Sequence, residues 1–178
     1  MKCLYYLTST LESAEKIAKD LQQIGINDWF IHVLSQDEAG LKKDKIHSSN
    51  YLERLDIVRF GIIGGAVGLS VGILAAIAVN STNLFGSGIP NIAYIAIIGF
   101  FTMFGIWEGG VTGIATENKK ITLFHDDLEV GQYLILIYAK KASEDLVKKV
   151  MQDSHQEAKL AAVDSNFYNP FIGLKRFK

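Results

Sequence analysis

Two ladders of glycine, spaced every four residues, run through the two most apolar stretches of the chain. The ladders are Gly64, Gly68 and Gly72 in the first stretch, and Gly105, Gly109 and Gly113 in the second. Because about 3.6 residues complete a helical turn, each ladder lies along one face of a helix. In water each glycine would weaken a helix by up to about 1 kcal/mol. In lipid, small residues let helix backbones approach closely, so these glycine zippers predict two tightly packed membrane helices.

The two predicted spans cover residues 60–79 and 91–115, within a transmembrane hairpin of residues 60–116. From Phe60 to Ile106 the chain contains no Asp, Glu, Lys or Arg, and about 20 apolar residues are enough to cross the bilayer core. Pro90 suits the start of the second helix, where a missing N–H costs nothing. A chain of 178 residues is too short to bury two such helices inside a soluble fold.

Basic residues on the flanks of the hairpin set its expected orientation. They are Lys42, Lys43, Lys45, Arg54 and Arg59 before the first span, and Lys119 and Lys120 after the second. The connection of residues 80–90 carries no charge. The positive-inside rule therefore predicts a multi-pass protein with both termini in the cytoplasm and this loop outside.

Residues 1–36 have the pattern of a strand, a helix and a second strand. The first strand is expected at Cys3–Thr8, and Ser9 with Glu12 forms a capping box that opens the helix. Gly25 suits the end of this helix. The alternation of apolar residues in Asp28–Leu34 predicts the second strand.

The same order recurs in residues 117–164. Gln132–Ala139 is strongly strand-like, and Ser143 precedes a helix whose apolar positions are Leu146, Val147, Val150 and Met151. Lys159–Val163 is expected to form the last strand. Neither β-α-β half is expected to fold alone, so the prediction is an α+β ferredoxin-like (βαββαβ) cytoplasmic domain with an inserted two-helix transmembrane hairpin.

Two further segments complete the predicted organisation. Residues 37–59 form a linker and a juxtamembrane helix at Asn50–Arg59, which either continues into the first span as one rod or lies at the interface and then kinks. Residues 165–178 form a tail of aromatic and basic residues. Such a tail suits an anionic membrane surface or a neighbouring subunit.

This organisation, with the stretches WEGGVTGIATENKK and SHQEAKLAAV, resembles a poorly characterised family of small bacterial inner-membrane proteins. Members of that family have a ferredoxin-like fold split by a glycine-rich membrane hairpin, and some are labelled as magnesium transporters or stress proteins. The resemblance implies a location in the bacterial inner membrane. It maps no binding residues onto this chain.

Glu108 is the sharpest candidate for chemistry, because it is a carboxylate inside the second apolar stretch. Such a residue is a candidate ion or proton site, or it bonds a neighbouring helix or a residue such as Thr112. Weaker candidates for a divalent cation are the acidic residues after the hairpin, Glu117, Asp126 and Asp127, with Glu129 and His125 nearby. A solvated acidic turn is the competing interpretation. His32, His47 and His155 form no spaced metal pair.

Enzyme motifs are absent from the sequence, so we expect a protein that is not an enzyme and has no cofactor. A net charge of −1 gives no reason to expect a nucleic-acid partner, and the single cysteine, Cys3, excludes an internal disulfide. The remaining small residues Gly61, Gly65, Gly99 and Gly110 suggest contacts between copies, hence a homo-oligomer.

Two functions remain open from the sequence. One is a membrane assembly whose cytoplasmic domains sense or scaffold, in a stress-related setting. The other is a small cation transporter or channel, magnesium being the example that the resemblance implies, with a pore between protomers near Glu108. Ligand binding on the ferredoxin-like sheet is a third interpretation, because that fold hosts many functions.

Overall fold

The computed structural model describes residues 1–36, 51–82, 86 and 89–177, and it is an α+β protein with a four-stranded antiparallel sheet and two long apolar helices. The chain divides into two compact units. Residues 1–51 and 119–178 form the sheet unit, and residues 52–118 form the hairpin unit. In chain order the hairpin unit therefore separates the two halves of the sheet unit.

The sheet unit contains four strands, β1 (Lys2–Thr8), β2 (Ile31–Leu34), β3 (Tyr133–Ala139) and β4 (Lys159–Asp164), in the spatial order β2-β3-β1-β4. All neighbouring pairs are antiparallel. The expected start of the second strand is wrong, because Asp28–Phe30 forms a 3-10 turn before Ile31. Asn27 stabilises that turn by accepting a hydrogen bond from the Trp29 N–H at 2.9 Å.

Helices α1 (Leu11–Gln23) and α6 (Glu144–Ser154) contribute to the core on one face of the sheet. The N-cap of α1 is Thr10 and not Ser9, since the Thr10 hydroxyl accepts from the Ser13 N–H at 3.2 Å. Gly25 follows the helix with a φ of +88°, a conformation that glycine adopts without strain. On α6 Val147 and Met151 face the core, whereas the expected core residue Leu146 is 45% exposed.

The second face of the sheet is also covered, which the sequence does not predict. A 3-10 turn at Thr122–Phe124 and helix α5 (His125–Glu129) supply Phe124 and Leu128 to this second core. Phe124 is fully buried and stacks on Tyr5 with ring centroids 5.7 Å apart. Because both faces are covered, all four residues of β2 are buried, where one-sided alternation was expected.

The C-terminal tail packs on the sheet unit itself. Arg176 forms an antiparallel bridge with Ala162 of β4, and the Phe177 N–H donates to the Ala161 carbonyl at 2.7 Å. The Arg176 guanidinium binds both Asp127 oxygens at 2.6 and 2.9 Å and lies 5.5 Å from the Phe124 ring centroid. Phe167 and Leu174 add to the second core.

The hairpin unit consists of α3 (Ile57–Thr82) and α4 (Asn91–Ile114), preceded by the single turn α2 (Tyr51–Arg54). A continuous rod from residue 50 into the first span is wrong, because the helix is interrupted at Leu55 and Asp56. Both long helices have the length and composition needed to cross a membrane. They begin or end a few residues away from the predicted spans, and Pro90 directly precedes α4.

The interruption at Leu55 has a clear structural cause. Leu55 and Glu117 form an antiparallel bridge. The Asp56 N–H donates to the Thr116 carbonyl at 2.9 Å, and the Asn118 N–H donates to the Arg54 carbonyl at 2.8 Å. These bonds close the base of the hairpin. The predicted flanking residues Lys42, Lys43 and Lys45, the cap at Asn50 and His47 lie outside the described residues.

Candidate functional sites

The two glycine ladders face each other across the hairpin. A Cβ atom added to any of the six would meet a backbone atom of the facing segment at between 2.1 and 2.9 Å, far inside van der Waals contact. The facing partners are Gly105 for Gly64, Phe101 for Gly68, Ile98 for Gly72, Gly64 for Gly105, Phe60 for Gly109 and Ile57 for Gly113. The glycine ladders therefore pack against the facing helix within one copy of the chain.

The other four glycines of interest differ in how closely they approach the facing helix, since a Cβ on Gly65 would meet the Ile106 side chain at 2.8 Å and Gly61 Cα lies 3.2 Å from where a Cβ on Gly109 would stand. Gly99 and Gly110 have open space where a Cβ would stand, and a Cβ on Gly61 would meet only the Ile106 carbonyl oxygen, at 4.0 Å. A shallow apolar groove of about 520 Å³, named here the outer groove, opens beside them. It is lined by Ile57, Val58, Gly61, Ile62, Gly65, Ala66, Leu69, Thr102, Ile106 and Gly110.

Glu108 is exposed on the surface of α4, although its neighbour Gly109 is buried. Its carboxylate makes no hydrogen bond or ion pair within the part of the chain that the structure describes. The expected contact with Thr112 exists only through the backbone, because the Thr112 hydroxyl donates to the Glu108 carbonyl oxygen at 3.0 Å. Trp107 beside it is 60% exposed. The carboxylate is thus presented outward from the hairpin.

A second carboxylate of the hairpin unit, Asp56, was not singled out by the sequence. Asp56 is 4% exposed, and its carboxylate accepts from the Arg59 guanidinium at 2.8 Å. Gly113 packs against the Asp56 carbonyl oxygen, which a Cβ would meet at 2.8 Å. Asp56 therefore combines a buried ion pair with the hydrogen-bonded base of the hairpin.

The three weak metal candidates do not form one cluster within either unit. Glu117 belongs to the base of the hairpin, where it pairs with Leu55. Asp127 belongs to the sheet unit and is bound at both oxygens by Arg176, while Asp126 lies in the first turn of α5. Across the described ranges, no group of three or more His, Cys, Asp or Glu residues could hold a metal ion.

A buried ion pair also fixes one of the two lysines that follow the second span. The Lys120 ammonium lies 2.6 Å from the Asp164 carboxylate, with the two side chains 8% and 5% exposed. Lys120 also donates to the Asn166 and Phe167 carbonyl oxygens at 3.2 and 3.3 Å. The charge of Lys120 is therefore neutralised inside the sheet unit, whereas the neighbouring Lys119 is exposed.

His155 is a buried titratable group that no sequence motif singles out. Its ring is 0% exposed and lies between two carboxylates, with Nε2 3.0 Å from Asp20 and Nδ1 3.3 Å from Glu157. Glu157 accepts a further bond from the Ser13 hydroxyl at 2.8 Å. Hydrogen bonds from its own backbone N–H, Ser13 and His155 lower the pKa of Glu157. Asp20 and Glu157 lie far apart in sequence, so only the fold could bring them together.

His155 also lines a cavity of about 430 Å³ beside α6, named here the α6 cavity. The lining residues are Tyr6, Lys148, Met151, Gln152, His155, Gln156, Ala158 and Leu160. Burial raises the pKa of Tyr6 to about 12, which keeps its hydroxyl protonated and able to donate. The cavity therefore combines an apolar wall with polar side chains, as small-molecule sites do.

Comparison with known families, curated proteins and solved structures finds no match for this chain, so the family resemblance of its sequence stays a prediction.

Proposed function

We propose that this chain is a self-associating inner-membrane protein whose hairpin crosses the bilayer twice and whose sheet unit senses or scaffolds in the cytoplasm. The observation that carries the proposal is the outer groove, an open apolar groove lined in part by small residues. The ladder glycines form the contact between α3 and α4. Gly61, Gly65 and Gly110 line the open outer groove. In a membrane, an exposed surface of small residues favours helix association.

Membrane insertion is supported by the outward surface of the hairpin. Helix α3 has 26 residues and α4 has 24. At about 1.5 Å per residue, each helix is longer than the thickness of the hydrocarbon core, about 30 Å. Large apolar side chains on both helices are at least half exposed, for example Leu74 and Met103 at 66% and 73%. Water would not tolerate an apolar surface of this extent on a soluble monomer.

The ferredoxin-like assignment of the sheet unit rests on its chain order and its sheet. Two β-α-β runs, one on each side of the hairpin unit, form an antiparallel sheet in the order β2-β3-β1-β4. This combination supports a split ferredoxin-like domain, with the hairpin inserted between the second and third strands. The orientation with both termini in the cytoplasm follows from the flanking lysines and arginines of the sequence.

Disulfide cross-linking in membranes tests self-association through the outer groove. Cys3 is fully buried, and in a Cys3→Ala background one cysteine is placed in the groove, Leu69→Cys. A matched cysteine goes to Val67→Cys, which is 58% exposed and does not line the groove. We expect an oxidant to trap dimers at Leu69→Cys well above the level at Val67→Cys. Equal background cross-linking at both positions would contradict the proposal.

A second candidate function, cation transport, is favoured by the outward carboxylate of Glu108. A charged group on a membrane helix is costly unless it meets water, an ion or a partner. In an oligomer it would line a path between copies, near the cytoplasmic end of α4. Ion flux into proteoliposomes with wild type and Glu108→Gln decides the matter. Transport predicts magnesium or proton flux that Glu108→Gln reduces, and background flux from both proteins would rule it out.

A further inference from the structure

The α6 cavity contains a polar group, the Tyr6 hydroxyl, that the described part of the chain does not hydrogen-bond. Tyr6 is 4% exposed, and its hydroxyl has no hydrogen-bond partner among the described residues. His155 Nε2 is fully enclosed, and the protein itself places the Asp20 carboxylate 3.0 Å from it. Buried polar groups in proteins are nearly always paired. The Tyr6 hydroxyl is therefore available to a molecule bound in the cavity.

The walls of the α6 cavity define the body of that molecule. Met151, Ala158 and Leu160 supply apolar surface, and the amides of Gln152 and Gln156 lie at the same cavity. Its volume of about 430 Å³ falls within the range of small-molecule sites, about 300–1,000 Å³. A compact apolar or aromatic group fits these walls better than a long polar chain.

The charges around the cavity define the polar end of the molecule. Glu144 accepts from Lys148 at 2.6 Å and from Lys2 at 3.0 Å, so one carboxylate is shared by two ammonium groups. This cluster carries a net positive charge. Lys148 lies about 9 Å along the helix from its last residue, Ser154, and His155 directly follows that end. The negative charges of Asp20 and Glu157 therefore lie toward the opposite end of the cavity.

We propose that the α6 cavity binds a small organic carboxylate with an apolar body. Its carboxylate accepts from the Lys148 ammonium and the Tyr6 hydroxyl, and its body packs against Met151 and Leu160. The bound carboxylate would be the signal that the sheet unit senses. In that respect this proposal rests on the function proposed above. Binding itself is measured independently of self-association.

The probe for this site is 4-fluorobenzoate, and 4-fluorobenzylamine serves as a probe of equal size and opposite charge. Fluorine NMR line widths are measured with the full chain in lipid nanodiscs, against nanodiscs without protein. We expect saturable broadening of the benzoate. Tyr6→Phe and Lys148→Gln should each weaken its affinity about tenfold, because each removes one donor to a charged group. Lys149→Gln, an exposed neighbour outside the cavity, should leave the affinity unchanged.

Two results would overturn the proposal. One is the absence of saturable broadening by the benzoate, and the other is an affinity that neither Tyr6→Phe nor Lys148→Gln changes. Stronger binding of the benzylamine would refute the assigned charge. The Lys148 side chain is 39% exposed, so its variant keeps the fold even if Tyr6→Phe does not. The cross-linking at Leu69→Cys reports separately on self-association, so a failure of one experiment is not a failure of the other.

Discussion

The carbonyl oxygens of Gly64 and Gly105 each lie against the other glycine, so closely that neither position has room for a side chain. A Cβ on Gly105 would stand 2.2 Å from the Gly64 oxygen, and one on Gly64 would stand 2.1 Å from the Gly105 oxygen. This geometry is typical of Cα–H···O contacts, which recur where helix backbones meet. At this point α3 and α4 touch backbone to backbone.

Gly105→Ala should destabilise the hairpin by about 1–3 kcal/mol, because the added methyl group forces the two backbones apart. Unfolding of the purified protein by SDS, followed by circular dichroism, measures the loss. Gly99→Ala is the matched control, since its Cβ meets nothing within 4 Å and alanine favours helix. An equal loss in both variants would show that the ladder contact does not hold the helices together.

Asp164→Ala should destabilise the sheet unit by about 3 kcal/mol, because it leaves the Lys120 ammonium buried without its counter-charge. Lys119→Met changes the adjacent, exposed lysine and should alter the free energy of unfolding little. Both are measured by denaturant unfolding of the full chain in detergent. If both variants lost the same free energy of unfolding, the buried ion pair would not contribute more to stability than an exposed lysine does.

Stability of the sheet unit should fall on acidification. Hydrogen bonds from Lys148 and then Lys2 lower the pKa of Glu144 below its ordinary value of 4.5. A carboxylate with a depressed pKa in the folded state stabilises the fold above that ordinary value and loses its contribution as the pH drops below it. Glu144→Gln should therefore flatten the pH dependence of the unfolding midpoint, whereas Asp145→Asn, at an exposed neighbour, should not. An unchanged slope in Glu144→Gln would disprove this assignment.

Arg176→Ala should loosen the C-terminal tail, because it removes two charged hydrogen bonds to Asp127 and the contact with Phe124. Hydrogen exchange at the Phe177 amide, which donates to Ala161, reports the loosening directly. Lys175→Ala removes a neighbouring exposed charge and should leave that protection intact. Fast exchange in the unmodified chain would mean that the tail does not hold its place on β4.

Local sequence signals account for most of the elements. The apolar runs at Cys3–Thr8 and Gln132–Ala139 correspond to β1 and β3 within one residue. Gly25 marks a helix end because glycine adopts a positive φ without strain. Pro90 marks a helix start because its ring restricts φ to a helical value. Such signals need no knowledge of distant residues, and the sequence therefore contains them.

Two of the failures have a different origin, because each depends on a partner far away in the chain. One of the two arrangements expected for the helix near residue 50, an unbroken rod, is wrong because Leu55 pairs with Glu117. Leu146 turns outward because α6 presents Val147 and Met151 to the sheet. Neither pairing leaves a periodic trace in the local sequence.

The candidate sites were predictable to the same limited extent. The ladder glycines follow from their spacing alone, and they meet across the hairpin. His155 acquires interest only because the fold brings Asp20 and Glu157 to its two ring nitrogens. The acidic residue Asp127 looked like a metal candidate, yet Arg176, 49 positions later, binds it.

The bridge between Arg176 and Ala162 lies on an outer strand of the sheet, because among the described strands β4 pairs only with β1. An uncovered outer strand invites pairing with the same strand of another copy, which leads to aggregation. Arg176 and Phe177 thus cover the outer edge of β4. Such cover would keep β4 from pairing with the same strand of another copy.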